Sequence, residues 1–221
     1  MPVLAYCITE SGPQAAPALT GVAGAQVESL TEGELRCFIS EFQTQPEGNA
    51  TDAVLQFNRV LQDILSRTGI IPFRFPTVLA NESELRDYLR EHSEPCREAL
   101  HRLKDDVQME IQVTLKSPRA EEQTTTSGRE YLQQRQARSK TLEQTAAKLQ
   151  ELTVGLTRDW LQKANSQGLR CYALVKRSSV REFQQTAGAF PGSAEVRIRV
   201  TGPWAATEFM SLPAPGQPTQ P

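Results

Sequence analysis

Val107-Gln108-Met109-Glu110-Ile111-Gln112-Val113-Thr114-Leu115 alternates apolar and polar residues without a break. A period of two over nine residues describes a strand with one face in a core and one face outside it. Two later stretches repeat the pattern. Leu169, Cys171, Ala173 and Val175 form one strand face; Ala194, Val196, Ile198 and Val200 form another, interleaved with Glu195, Arg197 and Arg199. One-sided strands need helices on one face only, which favours an antiparallel α+β arrangement over a doubly wound parallel sheet. The helices lie between the strands. Residues 128–165 contain no proline and read as one long helix, which would span about 55 Å. Leu142, Leu149 and Leu156 recur every seven residues, too briefly for a coiled coil. Ser178 or Ser179 opens a short helix through Phe183. The order β-α-β-α-β is close to a ferredoxin-like plait with one strand missing or displaced.

Upstream, Val3–Ile8 is apolar on both faces, as in a central strand, and residues 9–25 read as a loop. Residues 26–30 and 36–42 read as strands around a turn at Thr31-Glu32-Gly33-Glu34. Thr51 opens a helix with Val54, Phe57, Leu61 and Ile64 on one face, closed by Gly69. Ile70–Phe75 is a short strand. Asn81 and Glu84 form a capping box for a helix carrying Leu85, Leu89, Cys96, Leu100 and Leu103, which Pro95 kinks or restarts. The expected organisation is an α+β domain at 1–106 with a small sheet and two helices. A modified ferredoxin-like domain with a long helix follows at 107–210, then a flexible Pro-rich tail at 211–221.

The chain has 221 residues, 38% hydrophobic and 23% charged, a globular composition. No run approaches the ~18 apolar residues of a membrane span, and Met1–Tyr6 lacks the features of a secretory signal. Residues 1–117 carry 10 basic and 17 acidic side chains; residues 118–221 carry 14 and 9. An acidic half thus precedes a basic half, with an excess too small and dispersed for nucleic acid. Cys7, Cys37, Cys96 and Cys171 lie far apart without CxxC or Cys/His spacing, so they are expected as buried free thiols of a cytoplasmic protein.

The usual signatures of catalysis are missing. His92 and His101 stand ~13 Å apart along a helix, too far to share a metal, and read as surface residues. Asp105, Asp106 and Glu110 invite an acid/base reading, but their position at a helix-to-strand junction favours solvated turn residues. No GxSxG, P-loop or GxGxxG is present. Asn49 and Asn81 match the glycosylation pattern and read as helix caps. No catalytic, cofactor or metal residue is expected.

Four segments, in order, resemble one family. Pro72-Phe73-Arg74-Phe75-Pro76-Thr77 is similar to a strand motif ending Pro-x-Arg-Phe-Gly-Thr. Gly128-Arg129-Glu130-Tyr131-Leu132-Gln133-Gln134-Arg135 resembles a Gly-x-x-Tyr-Leu-x-x-Arg helix start. Tyr172-Ala173-Leu174-Val175 with Phe183 resembles a late strand and helix, and Thr201-Gly202-Pro203-Trp204 with Phe209 a closing signature. The family is the gas vesicle GvpF/GvpL proteins, and the likeness runs from about residue 3 to residue 210. It implies a two-domain accessory or minor structural protein of gas vesicles, cytoplasmic or vesicle-associated. Its implied partners are the small hydrophobic major shell protein and other accessory proteins, not nucleic acid or membrane. Arg74, Phe75, Tyr131, Arg135, Trp204 and Phe209 are the partner-binding candidates. Four of them have a structural counterpart: an internal ion pair for Arg74, helix docking for Tyr131 and Arg135, a packed plug for Trp204. Pro76 stands in place of the family's Gly, and Ala205-Ala206-Thr207 in place of Pro-Pro-Tyr. An oligomerising scaffold built on the 128–165 helix, and an enzyme of unknown specificity, remain as alternatives.

Overall fold

The computed structural model of the chain describes residues 1–12, 18–42, 50–116, 128–192 and 195–210. The expected Asn49 cap and the Pro-rich tail at 211–221 lie outside them. The described residues form two compact units, Met1–Asp105 with the residues from Trp204 onward, and Asp106–Pro203. The second unit therefore closes before residue 210. The described end of the chain returns to the first unit, where Met210 packs on its core and Arg102 donates to the Phe209 carbonyl at 2.6 Å.

The first unit runs β1 (Val3–Glu10), β2 (Leu19–Thr20), β3 (Gln26–Glu32), β4 (Leu35–Glu41), α1 (Ala50–Leu65), β5 (Ile71–Pro72), β6 (Val78–Leu79), α2 (Glu82–Glu91) and α3 (Ser93–Leu103). Its sheet has the order β2-β3-β4-β1-β5, with β6 also pairing β1. It has six strands and three helices, more than the small sheet with two helices expected. β2 lies within the stretch 9–25 that was expected as a loop, and three local features shape the rest.

First, a β-bulge between Ala5 and Cys7 switches the alternation of β1. Val3, Ala5 and Ile8 join Leu85, Leu89, Cys96 and Leu100 of α2 and α3, whereas Tyr6 stacks on Phe57 of α1 at 5.1 Å. Both faces of β1 are thus covered, as its apolar sequence required. On α1 the buried residues are Phe57, Val60, Ile64 and Leu65, and Val54 is exposed rather than inward.

Second, the expected strand 70–75 is interrupted. Only Ile71 and Pro72 pair with β1; Phe73 N–H donates to Tyr6 O, and the chain then detours through Arg74–Thr77 before β6 re-pairs. Third, α2 and α3 are separate helices meeting at His92. Pro95 falls in the first turn of α3, where backbone N–H groups have no helical partner anyway, so its missing donor costs little there. Asn81 caps α2 by accepting from Glu84 N–H at 3.0 Å, while the Glu84 carboxylate accepts from Ala80 N–H at 2.7 Å.

The second unit runs β7 (Asp106–Leu115), α4 (Gly128–Thr153), β8 (Thr157–Asn165), β9 (Gly168–Lys176), α5 (Val180–Gly188) and β10 (Val196–Trp204), with strand order β10-β7-β9-β8. Met109, Ile111, Val113, Cys171, Ala173, Val175 and Val196 bury one sheet face against Ala146, Leu149, Phe183 and Ala187. The three alternating strands are found in the described residues, although Ala194 of the third lies outside them and β10 begins at Val196.

The long helix is not. It ends at Thr153, and Thr157–Asn165 is a strand. Thr153 Oγ1 donates back to Leu149 O at 2.8 Å and Thr157 Oγ1 to Thr153 O at 2.9 Å, closing the last turn before β-branched and aromatic residues that favour extended backbone. The heptad leucines have an internal explanation: Leu149 is fully buried, and Leu142 and Leu156 pack against the same core.

Candidate interaction surface

The partner-binding candidates fall on four segments. Arg74 and Phe75 occupy the detour between β5 and β6. Phe75 is half-buried with its ring edge on Phe57, 5.2 Å between centroids, and the Phe75–Pro76 peptide is cis. Arg74 is exposed; its carbonyl accepts from Thr77 Oγ1 at 2.6 Å, and among the described residues no carboxylate pairs with its guanidinium. The internal ion pair expected for Arg74 is thus not formed with any described residue, because the detour carries the side chain off the sheet. Tyr131 and Arg135 lie in the first two turns of α4, and their side chains are outside the described set.

Trp204 ends β10 after a cis Gly202–Pro203 peptide and is 38% exposed, so it is not the packed plug expected. Gly202 has φ +117, and a Cβ there would meet Gln108 O at 2.9 Å. Both the positive φ and the close approach of β7 therefore demand glycine at that point of β10. Phe209 is half-buried, its backbone held by Arg102 of α3. Phe75 is thus fixed by α1 and Phe209 by α3.

Apolar exposure adds residues that the sequence reading did not choose. In the first unit Val54 (38%), Leu55 (51%) and Val78 (41%) are exposed. Val54 lies one helical turn from Phe57, the residue that supports Phe75. A helical pattern marks Val54 as core, and only the packing of Val60 and Ile64 against the sheet shows the stripe rotated away from it. In the second unit Leu152 (48%) and Val154 (69%) are exposed where α4 ends.

One concave feature among the described residues is charged. Beside the β3–β4 hairpin a cleft of about 690 Å³ is lined by residues including Glu10, Glu34, Glu94, Arg97 and His101. Arg97 bridges Glu34 at 2.7 Å and Glu94 at 2.8 Å; Glu32 bridges Arg90 at 2.8 Å and Arg86 at 3.0 Å. The hydrogen bond from Arg90, then that from Arg86, holds the Glu32 carboxyl below its usual range. These pairs tie the hairpin to α2 and α3. Gly33 takes φ +58 at the first position of the two-residue turn, as that turn demands of it.

The remaining chemistry-bearing groups are structural. All four cysteines are buried and free, and burial raises their thiols: Cys96 to about 11, Cys171 to about 12, Cys7 and Cys37 also upward. They stay protonated at neutral pH, as the sequence reading held. His92 stacks on Tyr88 at 4.3 Å with Nδ1 3.0 Å from the Tyr88 carbonyl, half-buried rather than a plain surface residue, whereas His101 is exposed. Asp106 departs from its expected solvated role. It is 3% exposed, and its Oδ2 accepts from Arg158 Nη1 at 2.6 Å. Its place at the start of β7, not at the end of the preceding turn, takes it inside; Asp105 is exposed as expected. Among the described residues no group of three His, Cys, Asp or Glu side chains is placed to hold a metal, and no helix is long and apolar enough to cross a membrane.

Comparison with known proteins agrees with the resemblance read from the motifs. No curated protein matches the chain in sequence. Its fold is shared by solved structures, among them two gas vesicle proteins. The gas vesicle protein GvpF from Anabaena sp. PCC7120 superposes with a TM-score of 0.76 at 16% identity, covering 96% of this chain and 97% of that one. GvpF from Microcystis aeruginosa superposes with a TM-score of 0.78 at 13% identity, covering 96% and 99%. The family model for gas vesicle synthesis protein GvpL/GvpF matches residues 2–211, nearly the whole length, and the chain belongs to that family.

Proposed function

We propose that this chain is an accessory protein of gas vesicle assembly that binds the small, very hydrophobic major shell protein and acts in the cytoplasm or at the vesicle. The observation carrying the reading is a family match over residues 2–211 joined to exposed apolar side chains on the first unit, Val54, Leu55 and Val78. A client made mostly of apolar surface is held by apolar contact, with a few polar groups setting orientation. Arg74, exposed beside Phe75, is suited to that orienting role. The second unit, with order β-α-β-β-α-β, is the ferredoxin-like plait with its full strand set, and it serves as a scaffold.

Co-purification with the major shell protein tests the reading. The native chain should retain the shell protein in solution, and Leu55→Glu or Val54→Glu should cut recovery at least about tenfold if these side chains are interface anchors. Residue-mapped crosslinks should fall on α1 and the β5–β6 detour. A folded chain that leaves the shell protein insoluble, with no crosslink between the two, would refute it.

A further inference from the structure

The second sheet ends, among the described residues, on β8. An open edge strand offers unpaired backbone groups to another chain, and charged side chains usually discourage the pairing. β8 is mostly exposed and carries Arg158, Asp159 and Lys163. Their arrangement is not the discouraging one. Asp159 stands two residues before Leu161 and Lys163 two residues after it, so opposite charges lie at equal distances from one central residue.

We propose that β8 is a docking edge for a second copy of this chain, the two strands pairing antiparallel about a two-fold axis at Leu161. In that register Leu161 faces Leu161, while Asp159 of each copy faces Lys163 of the other. Trp160 faces Gln162 on the opposite side. Residues directly opposite in an antiparallel pair share a face, so both charge pairs form where the leucines meet. Within its own sheet β8 sets Asp159, Leu161 and Lys163 opposite Leu174, Tyr172 and Arg170. Lys163 therefore lies across from another cation, with its Nζ 5.8 Å from the Tyr172 ring centroid. Arg170 in turn has the Glu110 carboxylate at 3.6 Å. Docking trades away a local bond, since Asp159 Oδ1 accepts from Trp160 N–H at 2.7 Å. Registers displaced by two residues set Leu161 against a charge and lose both ion pairs.

One strand pair buries little surface, which makes this a weak, concentration-dependent dimer. Sedimentation equilibrium of the full chain, from micromolar to millimolar concentration, measures it. Lys163→Asp or Asp159→Lys alone turns two attractions into repulsions and should weaken the dimer at least about tenfold; the double exchange D159K/K163D should restore it to within about threefold. Far-UV circular dichroism identifies variants that remain folded. Independently, Leu161→Cys should give a symmetric disulfide-linked dimer on mild oxidation, because the residues opposite each other there come within ~4.5 Å. A chain monomeric throughout the range, a dimer indifferent to the single exchanges, or a folded double exchange that stays monomeric overturns the proposal. So does a Leu161→Cys chain that fails to crosslink.

Discussion

Gly21→Ala should destabilise the first unit sharply, through a contact that no motif reveals. Tyr6 is wholly buried between β1 and α1, stacked on Phe57. Its hydroxyl lies 3.1 Å from Ser40 Oγ and accepts from Val22 N–H at 3.0 Å. Gly21 leaves room for that hydroxyl: a Cβ on residue 21 would collide with Tyr6 Oη and lie 2.9 Å from Ser40 Oγ and 3.0 Å from Tyr6 Cζ. Overpacking a filled core costs about 1–3 kcal/mol. Displacing the hydroxyl from its buried partners adds about 1–2 kcal/mol. The expected loss is therefore about 2–5 kcal/mol, read as a shifted urea midpoint at unchanged slope.

Two companion variants isolate the cause. Tyr6→Phe strips Val22 N–H of its acceptor and should cost about 1–2 kcal/mol. In the double variant the principal collision is gone, so the combined loss should fall short of the sum by about 1 kcal/mol or more. Gly188→Ala serves as the control. It ends α5 with nothing within 4 Å of an added Cβ, and should be neutral or stabilising by up to about 1 kcal/mol. If Gly21→Ala is as mild as Gly188→Ala, or strictly additive with Tyr6→Phe, the contact reasoning fails.

Three further outcomes follow from the same structure. Arg158→Ala should cost about 1–3 kcal/mol by leaving the buried Asp106 carboxylate without its cation, and Asp106→Asn should cost less because it removes the charge that needs a partner; urea midpoints in the opposite order would refute this. All four thiols titrate higher folded than unfolded, so their stabilisation is complete below pH 9 and is lost as pH rises, toward about 11 for Cys96, about 12 for Cys171 and further up for Cys7 and Cys37. The slope should approach about 1.4 kcal/mol per pH unit per thiol, and a midpoint flat between pH 9 and 11 would contradict it. Phe183→Ala should cost about 3–5 kcal/mol, since the ring is fully buried between α5 and the second sheet, whereas Arg74→Ala should leave thermal unfolding unchanged and reduce only shell-protein capture.

Much of the second sheet was legible because its strands are amphipathic. Met109, Ile111 and Val113 alternate with polar residues, and a half-buried strand can be read from that alone. β8 was not legible for the converse reason. Lying at the sheet's edge and mostly exposed, Arg158–Asn165 has no apolar face to imprint a period of two, and its polar residues continue a helical pattern equally well. The same limit hid the break between β5 and β6, where pairing with β1 decides which residues count as strand. Of the candidate surface, the motifs marked Arg74, Phe75, Trp204 and Phe209. Val54, Leu55 and Val78 emerged only from exposure.

The sequence by itself determined the class of the protein. Period-two strands, capped helices and four ordered motifs specify an α+β chain of the gas vesicle GvpL/GvpF family, since local propensity and the apolar pattern are properties of neighbouring residues. Tertiary structure decided what neighbours in sequence cannot. The bulge in β1 sends Tyr6 and Ile8 to different helices, and the buried start of β7 draws Asp106 inside, where Arg158 reaches it from the surface. The sheet order leaves β8 on an open edge with its opposed charges exposed. Each of these depends on which distant segment lies alongside, and that is settled only when the surfaces close on one another.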